Sequence, residues 1–211
     1  MVHTFIDVVL HLDKYLGGIL EAYGTATYAV LFVVIFLETG LVVTPFLPGD
    51  SLIFAAGTFA AIGSLNLAVL LVAISMAAIL GDTANYHIGK QVGNRVYSSA
   101  NLRLIKKKHV LEAREFYSRY GPIAIVISRF IPIIRTFVPF VAGIGEMSYP
   151  RFLEFNAVGG ITWVSLFLLL GYFFGRLPIV KNHFSLVTLA IIVISVIPAI
   201  VTFIRGRQSQ Q

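Results

Sequence analysis

The stretch SRFIPIIR, residues 128–135, decides what kind of fold this chain can adopt. It places Arg129 and Arg135 on either side of Pro132, in a segment that is otherwise apolar apart from Ser128. Proline lacks the backbone N–H donor and breaks a helix. Inserting an arginine at the centre of a membrane helix costs about 2.5–3.5 kcal/mol of free energy, so each arginine here is a candidate functional residue.

The composition around that stretch excludes a soluble protein. Of 211 residues, 57% are hydrophobic and only 12% are charged, whereas soluble domains carry roughly 25% charge. Polar groups cannot cover the apolar surface of such a chain, so lipid must solvate much of it. A soluble enzyme, a disordered tail and a nucleic-acid module are therefore excluded, despite the net charge of +6. The absence of cysteine removes thiolate metal sites, and no cofactor or metal cluster is predicted.

Long uncharged stretches predict an all-α membrane protein with about four transmembrane helices, since a spanning helix needs about 20 apolar residues. The predicted spans are residues 24–43, 65–88, 152–175 and 184–204. Ahead of them, residues 1–23 repeat apolar side chains at helical spacing, which predicts an amphipathic helix on the membrane surface. Residues 24–211 then form a single membrane domain.

Residues 90–119 hold eight of the sixteen basic side chains of the chain. An apolar helical stripe runs through them, so a basic amphipathic helix on an anionic membrane surface fits the pattern. A solvated connecting helix fits it equally well. The positive-inside rule places this segment in the cytoplasm, and four spans then place both termini there.

Two apolar segments, 44–63 and 121–145, do not fit as spans. They contain five of the eight prolines, and the dozen or so residues that follow Asp50 in the first segment are too few to cross about 30 Å as a helix. We predict two re-entrant hairpins in inverted orientation, the first entering from outside and the second from inside. Paired interrupted segments point to a transporter's binding site at the bilayer midplane. Two unrelated loops that dip into the bilayer would give the same pattern.

Carboxylates in the first half complement the arginines of the second. Glu38 lies inside an apolar run, so it is either paired with an arginine or protonated, and it could carry a proton. Asp50 follows a Pro-Gly pair, and capping the helix that starts at Ser51 is expected to be one of its roles. Asp82 could instead form a hydrogen bond between helices with Asn85 or Tyr86.

The two arginines suggest an anion site. A turn at Pro132 could aim both guanidinium groups into one cavity, and planar, permanently charged, bidentate donors match a phosphate. Alternatively, each arginine only neutralises a buried carboxylate.

The order of the motifs resembles the DedA family of bacterial membrane proteins, which is grouped with the VTT or SNARE-associated membrane proteins. The motifs are FLETG at 36–40, PFLPGDS at 45–51, GD at 81–82 with Tyr86 and Gly89, RFIPIIR at 129–135, AG at 142–143, Asn156 and GYFFG at 171–175.

This resemblance implies an inner-membrane, multi-pass protein with two re-entrant hairpins that face each other. It also implies proton-motive-force-dependent membrane homeostasis and the return of undecaprenyl phosphate across the bilayer. The essential acids of the family match Glu38 and Asp50, and its essential arginines match Arg129 and Arg135.

The sequence therefore predicts a proton-coupled transporter of a polyprenyl phosphate, not an enzyme. Arg129 and Arg135 would bind the phosphate, and Glu38 and Asp50 would carry protons. Asp82, Tyr86 and Asn156 would be supporting polar residues. A small-ion or drug/proton antiporter, a membrane phosphatase and a membrane scaffold are the alternatives. A homo-oligomer is compatible with the sequence.

Overall fold

The computed structural model describes residues 12–41, 49–98, 107–145 and 147–175, together with residues 177, 178 and 190. These residues form eight α-helices and two short 3-10 helices, the latter at Gly24–Ala26 and Gly121–Ile123. The α-helices are α1 (Leu12–Tyr23), α2 (Thr27–Gly40), α3 (Gly49–Ala61), α4 (Leu67–Ser98), α5 (Lys107–Tyr120), α6 (Ala124–Ser128), α7 (Pro132–Ile144) and α8 (Tyr149–Phe174).

Within the described part of the chain, three segments are long and apolar enough to cross a membrane: Tyr15–Gly40, Leu67–Gln91 and Tyr149–Phe174. The predicted all-α membrane fold is confirmed. The first of these segments begins earlier than the predicted span at 24–43, because a single 3-10 turn joins α1 directly to α2.

Some sequence predictions fall on residues that the structure leaves undescribed. The predicted span at 184–204 is one, and the start of the predicted surface helix at 1–23 is another, since the description begins at residue 12. Whether α1 lies on the membrane surface therefore stays a prediction.

The outer surface of α8 is apolar. Val158 is 58% exposed, Ile161 is 49% exposed and Phe173 is 67% exposed. Large side chains so exposed along one helix suit contact with lipid chains rather than water.

The helices α3 and α7 are too short to span. Each has 13 residues and is about 20 Å long at 1.5 Å per residue, which is less than the roughly 30 Å of a bilayer core. The second predicted hairpin, residues 121–145, consists of α6, a turn and α7. The depths and entry sides of both hairpins stay predictions.

Two prolines of the second hairpin behave differently. Pro132 is the first residue of α7, and Ile131 before it is extended, with φ −123° and ψ 100°, as expected for a residue that precedes proline. The expectation that each proline breaks a helix is wrong at Pro139, which lies inside α7. The carbonyl group of Arg135 loses its helical donor there, a cost that the packing of α7 against α4 and α5 offsets.

Each hairpin helix packs against the long helix of the other half of the chain. Helix α3 crosses α8 where a Cβ atom on Gly171 would overlap the carbonyl oxygen of Phe54. Helix α7 crosses α4 where a Cβ atom on Gly89 would overlap the carbonyl oxygen of Phe140. Glycine at both crossings permits close backbone contact, and the two crossings interlock the halves.

We expect Gly171→Ala to destabilise the protein by about 1–3 kcal/mol, the usual cost of overpacking a close contact. Gly18→Ala is the matched control, because nothing lies within 4 Å of a Cβ atom at that position. Alanine in an open helical position is neutral or stabilising. Thermal unfolding in detergent measures both variants, and equal melting temperatures for the two would contradict this account of the crossing.

Candidate functional site

Arg135 lies in the first turn of α7 and faces two carboxylates from the first half of the chain. Its Nη1 donates a hydrogen bond to Asp50 Oδ1 at 2.9 Å, and its Nη2 donates to Glu38 Oε1. All three residues are buried. Removing one partner from such a buried group leaves an uncompensated charge, so the three residues act as a unit.

The position of Glu38 depends on the start of α3. The backbone N–H of Gly49 donates to Glu38 Oε1 at 3.3 Å, and a Cβ atom on residue 49 would overlap the carboxylate. Only glycine therefore lets Glu38 approach this helix N-terminus, where the helix dipole favours a negative charge. Because α3 begins at Gly49, Asp50 lies inside its first turn instead of preceding the helix.

Trp163 of α8 connects the two arginines. Its indole N–H donates to Asp50 Oδ1 at 2.9 Å. The centroid of a Trp163 ring lies 5.4 Å from Arg135 Cζ and 5.9 Å from Arg129 Cζ, within the range of cation–π attraction. Trp163 was not among the residues predicted to form the site. A usable signal was that the single tryptophan lies in the middle of a span, whereas tryptophan is enriched at the membrane interfaces.

Arg129 forms a second group with different partners. Its Nη2 donates to Asp82 Oδ2 at 2.6 Å and to Asn156 Oδ1 at 2.5 Å, and it lies 3.5 Å from the carbonyl oxygen of Ala78. The alternative prediction was a hydrogen bond from Asp82 to Asn85 or Tyr86. In the structure the Asp82 carboxylate pairs with Arg129.

Asn85 is a second residue that the sequence analysis did not select. Its Nδ2 donates to the carbonyl oxygens of Thr39 at 3.3 Å and of Thr136 at 2.6 Å. It therefore ties the end of α2 and the start of α7 to α4. Glu38 and Arg135 are the chain neighbours of those two threonines, so Asn85 fixes the backbone that carries the ion pair.

Tyr86 was predicted to be a supporting polar residue of the site, and in the structure its contacts lie elsewhere. Its hydroxyl group donates to the carbonyl oxygen of Met147 at 2.5 Å, and its ring stacks on Phe152 in a separate apolar cluster. Tyr86 therefore holds the turn before α8.

Both arginines line one small cavity. Its lining residues are Thr39, Asp82, Arg129, Arg135, Thr136 and Trp163. The cavity measures about 10 Å³, close to the minimum that holds one water molecule. The arginines thus converge on a cavity too small for a larger ligand, while each is also bonded to its own carboxylate partners.

Among the residues described, no three His, Cys, Asp or Glu side chains come together as a metal site. The ion pairs instead bring three carboxylates to two guanidinium groups. With every group ionised, the cluster would carry one excess negative charge.

The sequence comparisons agree on a family. Residues 47–173 match the VTT domain family. The chain is 42% identical to protein DedA of Escherichia coli (strain K12) over 211 residues, which is 99% of this chain and 96% of that protein. The chain belongs to the DedA family. A DedA-family chain with these apolar helices is a bacterial inner-membrane protein, and membership indicates a role in membrane transport or homeostasis.

Two further relatives are similar to this DedA-family chain over most of its length. An uncharacterized membrane protein of Mycobacterium tuberculosis is 40% identical over 185 residues, 87% of this chain and 81% of that protein. Inner membrane protein YghB of Escherichia coli (strain K12) is 35% identical over 159 residues, 75% of this chain and 73% of that protein. No solved structure matches the chain.

Proposed function

We propose that this chain is a proton-coupled transporter of a lipid phosphate, most specifically of undecaprenyl phosphate, across the inner membrane. The observation that carries the proposal is the contact of Arg135 with both Glu38 and Asp50. One guanidinium group cannot neutralise two buried carboxylates, and an unpaired buried charge is very costly. The conformation seen in the structure is therefore expected to hold one proton on this pair of acids.

Glu38 Oε2 is the best position for that proton. It is buried, and no described residue forms a hydrogen bond with it. Protonation at Oε2 would remove the negative charge while the other oxygen, Oε1, still accepts from Arg135 and from the Gly49 N–H. Glu38 and Asp50 would then load and release protons together as a coupled pair.

A lipid phosphate would compete with these acids for the arginines. Arginine binds phosphate through two parallel N–H donors. In the structure, both terminal nitrogens of Arg135 donate hydrogen bonds to carboxylates instead. Phosphate binding would release Glu38 and Asp50, and each released acid would take up a proton because it stays buried. Movement of the headgroup would in this way be coupled to the proton gradient.

The closed cavity requires an opening step. A space of about 10 Å³ does not admit a phosphate, so the headgroup would enter in another conformation. The isoprenoid tail would stay in lipid along the apolar outer face of helices such as α8. This is the arrangement expected of alternating access around a fixed midplane site.

The basic segment would contact the anionic membrane surface. Helix α5 buries Ala113 and Phe116 and exposes Arg114 and Arg119. Exposed arginines near a membrane gain about 1 kcal/mol each from anionic lipid. We place this face and both termini on the cytoplasmic side.

A flipping assay tests the proposal. Purified protein in proteoliposomes should move a labelled polyprenyl phosphate between leaflets, faster with a proton gradient than without one. The labelled phosphate should stay on the lipid, because we propose transport without hydrolysis; release of free phosphate would favour the enzyme. Absence of flipping by folded protein would overturn the proposal.

A small-ion or drug/proton antiporter is the second candidate. The specific observation in its favour is that each arginine already has a carboxylate partner, as a purely structural cation would. Arginine-to-lysine substitution separates the two functions, because lysine keeps the charge but loses the two-pronged geometry.

Trp163→Phe should reduce flipping by about 10- to 150-fold, because a hydrogen bond to a charged group contributes roughly 1.5–3 kcal/mol. Phenylalanine keeps an aromatic face for the arginines and removes only the N–H donor to Asp50. Phe167→Leu is the control, since Phe167 contacts the Trp163 ring edge-on without a polar role. Equal rates for the two variants would show that the N–H group does not orient Asp50.

A further inference from the structure

Thr136, near the start of α7, has a buried hydroxyl group that no described residue binds. The residue is 1% exposed, and its Oγ1 has no hydrogen-bond partner in the described part of the chain. Other helical threonines of this protein return their hydroxyl group to the preceding turn. Thr39 Oγ1 donates to the Ile35 carbonyl oxygen at 2.9 Å, and Thr58 Oγ1 donates to the Phe54 carbonyl oxygen at 3.2 Å. Thr136 forms no such bond, although an unpaired buried hydroxyl group is destabilising.

The position of Thr136 distinguishes it from another buried threonine of the same kind. Thr136 lines the cavity together with Arg129 and Arg135. Thr27 also has a buried hydroxyl group without a partner among the described residues, but it does not line this cavity. The backbone of Thr136 is fixed, because Asn85 Nδ2 donates to its carbonyl oxygen at 2.6 Å. The unpaired hydroxyl group is therefore held beside the two arginines, where a ligand could satisfy it.

Two guanidinium groups and a hydroxyl group together suit a phosphate monoester. A monoester has three terminal oxygens that accept hydrogen bonds, whereas a diester, such as an ordinary phospholipid, has two. The arginines can bind two oxygens of either headgroup through their paired N–H donors. The third oxygen exists only in the monoester and needs a partner of its own. A hydroxyl group can donate to that oxygen when it is ionised and accept from it when it is protonated.

We propose that Thr136 binds the third terminal oxygen of the phosphate monoester and so distinguishes it from the phosphodiester lipids that surround the protein. This inference rests on the proposed function, in which Arg129 and Arg135 hold the headgroup. A hydroxyl group is neutral, so it adds selectivity without a further buried charge, which would be very costly. The unpaired hydroxyl group lowers the stability of the ligand-free protein, and selection among lipids is the function that it would serve.

Calorimetric titration of the full-length protein in detergent tests this role with two ligands that share one tail. Farnesyl phosphate is a monoester, and farnesyl methyl phosphate is the matching diester. Thr136→Val replaces the hydroxyl group with a methyl group of similar size. It should weaken binding of the monoester by about 10- to 150-fold, the equivalent of a hydrogen bond to a charged group. Its affinity for the diester should equal that of the wild type.

Three further variants make the result specific. Thr136→Ser keeps the hydroxyl group and should bind both ligands as the wild type does. Thr27→Val removes a buried unpaired hydroxyl group away from the cavity and should not change either affinity. Both valine variants should melt at or above the temperature of the wild type, since each loses an unpaired polar group. Thr136→Ala provides the same comparison of ligands if Thr136→Val does not fold.

The outcomes separate this role from transport. Unchanged monoester affinity in Thr136→Val, or an equal loss for both ligands, would overturn the role of Thr136 and leave the transporter intact. If monoester affinity were lost selectively but the wild type flipped no lipid in proteoliposomes, the role of Thr136 would stand and transport would not.

Inorganic phosphate, titrated in the same way, separates a lipid headgroup from a free ion. It should bind the wild type about tenfold more weakly than farnesyl phosphate or weaker still, because it has no apolar tail to bury. Equal affinity for the two would contradict a lipid ligand and assign the site to free phosphate.

Discussion

Arg135→Gln should destabilise the protein by about 3–5 kcal/mol, the usual cost of breaking a buried ion pair from one side. Glu38 and Asp50 would remain buried around a neutral side chain. The thermal unfolding transition in detergent measures the loss, and flipping should fall to background in any protein that still folds.

The control for this variant removes the carboxylates as well. Glu38→Gln and Asp50→Asn together with Arg135→Gln leave a neutral, polar cluster of similar volume. We expect most of the stability to return without flipping, because folding needs charge balance whereas transport needs the charges themselves. If the triple variant were as unstable as Arg135→Gln alone, charge imbalance would not be the cause of the instability.

Arg129→Lys should reduce flipping by about 30- to 150-fold while the protein stays folded. Loss of bidentate geometry at a phosphate is equivalent to about 2–3 kcal/mol of binding in the transition state. Lysine keeps the positive charge beside Asp82, so stability should change little. The measurement is the flipping rate, normalised to the amount of folded protein in the liposomes.

The same variant decides between the two functions considered. An antiporter that uses Arg129 only as the counter-ion of Asp82 would keep most of its activity with lysine. Arg129→Ala serves as the reference for complete loss of the charge. If Arg129→Lys flipped lipid as fast as the wild type, the phosphate role of this residue would be wrong.

Much of the fold follows from single features of the sequence. The long uncharged runs predicted α4 and α8, because a single apolar segment in lipid satisfies its own backbone hydrogen bonds only as a helix. Pro132 predicted the break before α7, since proline constrains the residue that precedes it. The prediction was wrong at Pro139, because the free-energy cost of a missing backbone N–H depends on the packing around it. The spacing of residues in the sequence does not reveal that packing.

The site was only partly predictable for a similar reason. Five ionisable residues stood out from the sequence because charges in apolar segments are costly. The structure brings Asp82, Arg129 and Arg135 to one cavity and pairs Glu38 and Asp50 with Arg135. Their pairing could not be deduced, since Asp82 lies 47 residues from Arg129 and could have met either arginine. Asn85 acts through an amide, a group too common to stand out, whereas the position of the single tryptophan, Trp163, in mid-span was a usable signal.

In the proposed mechanism, protons and a lipid phosphate compete for the ion-pair partners Arg135, Glu38 and Asp50. Proton uptake on binding tests it most directly, by calorimetric titration of a short-chain polyprenyl phosphate into detergent-solubilised protein, in buffers of different ionisation enthalpy. Wild-type protein should take up about one proton for each lipid phosphate bound, and Glu38→Gln with Asp50→Asn should take up none. Binding by the wild type without proton uptake, or equal uptake by the double variant, would contradict the account.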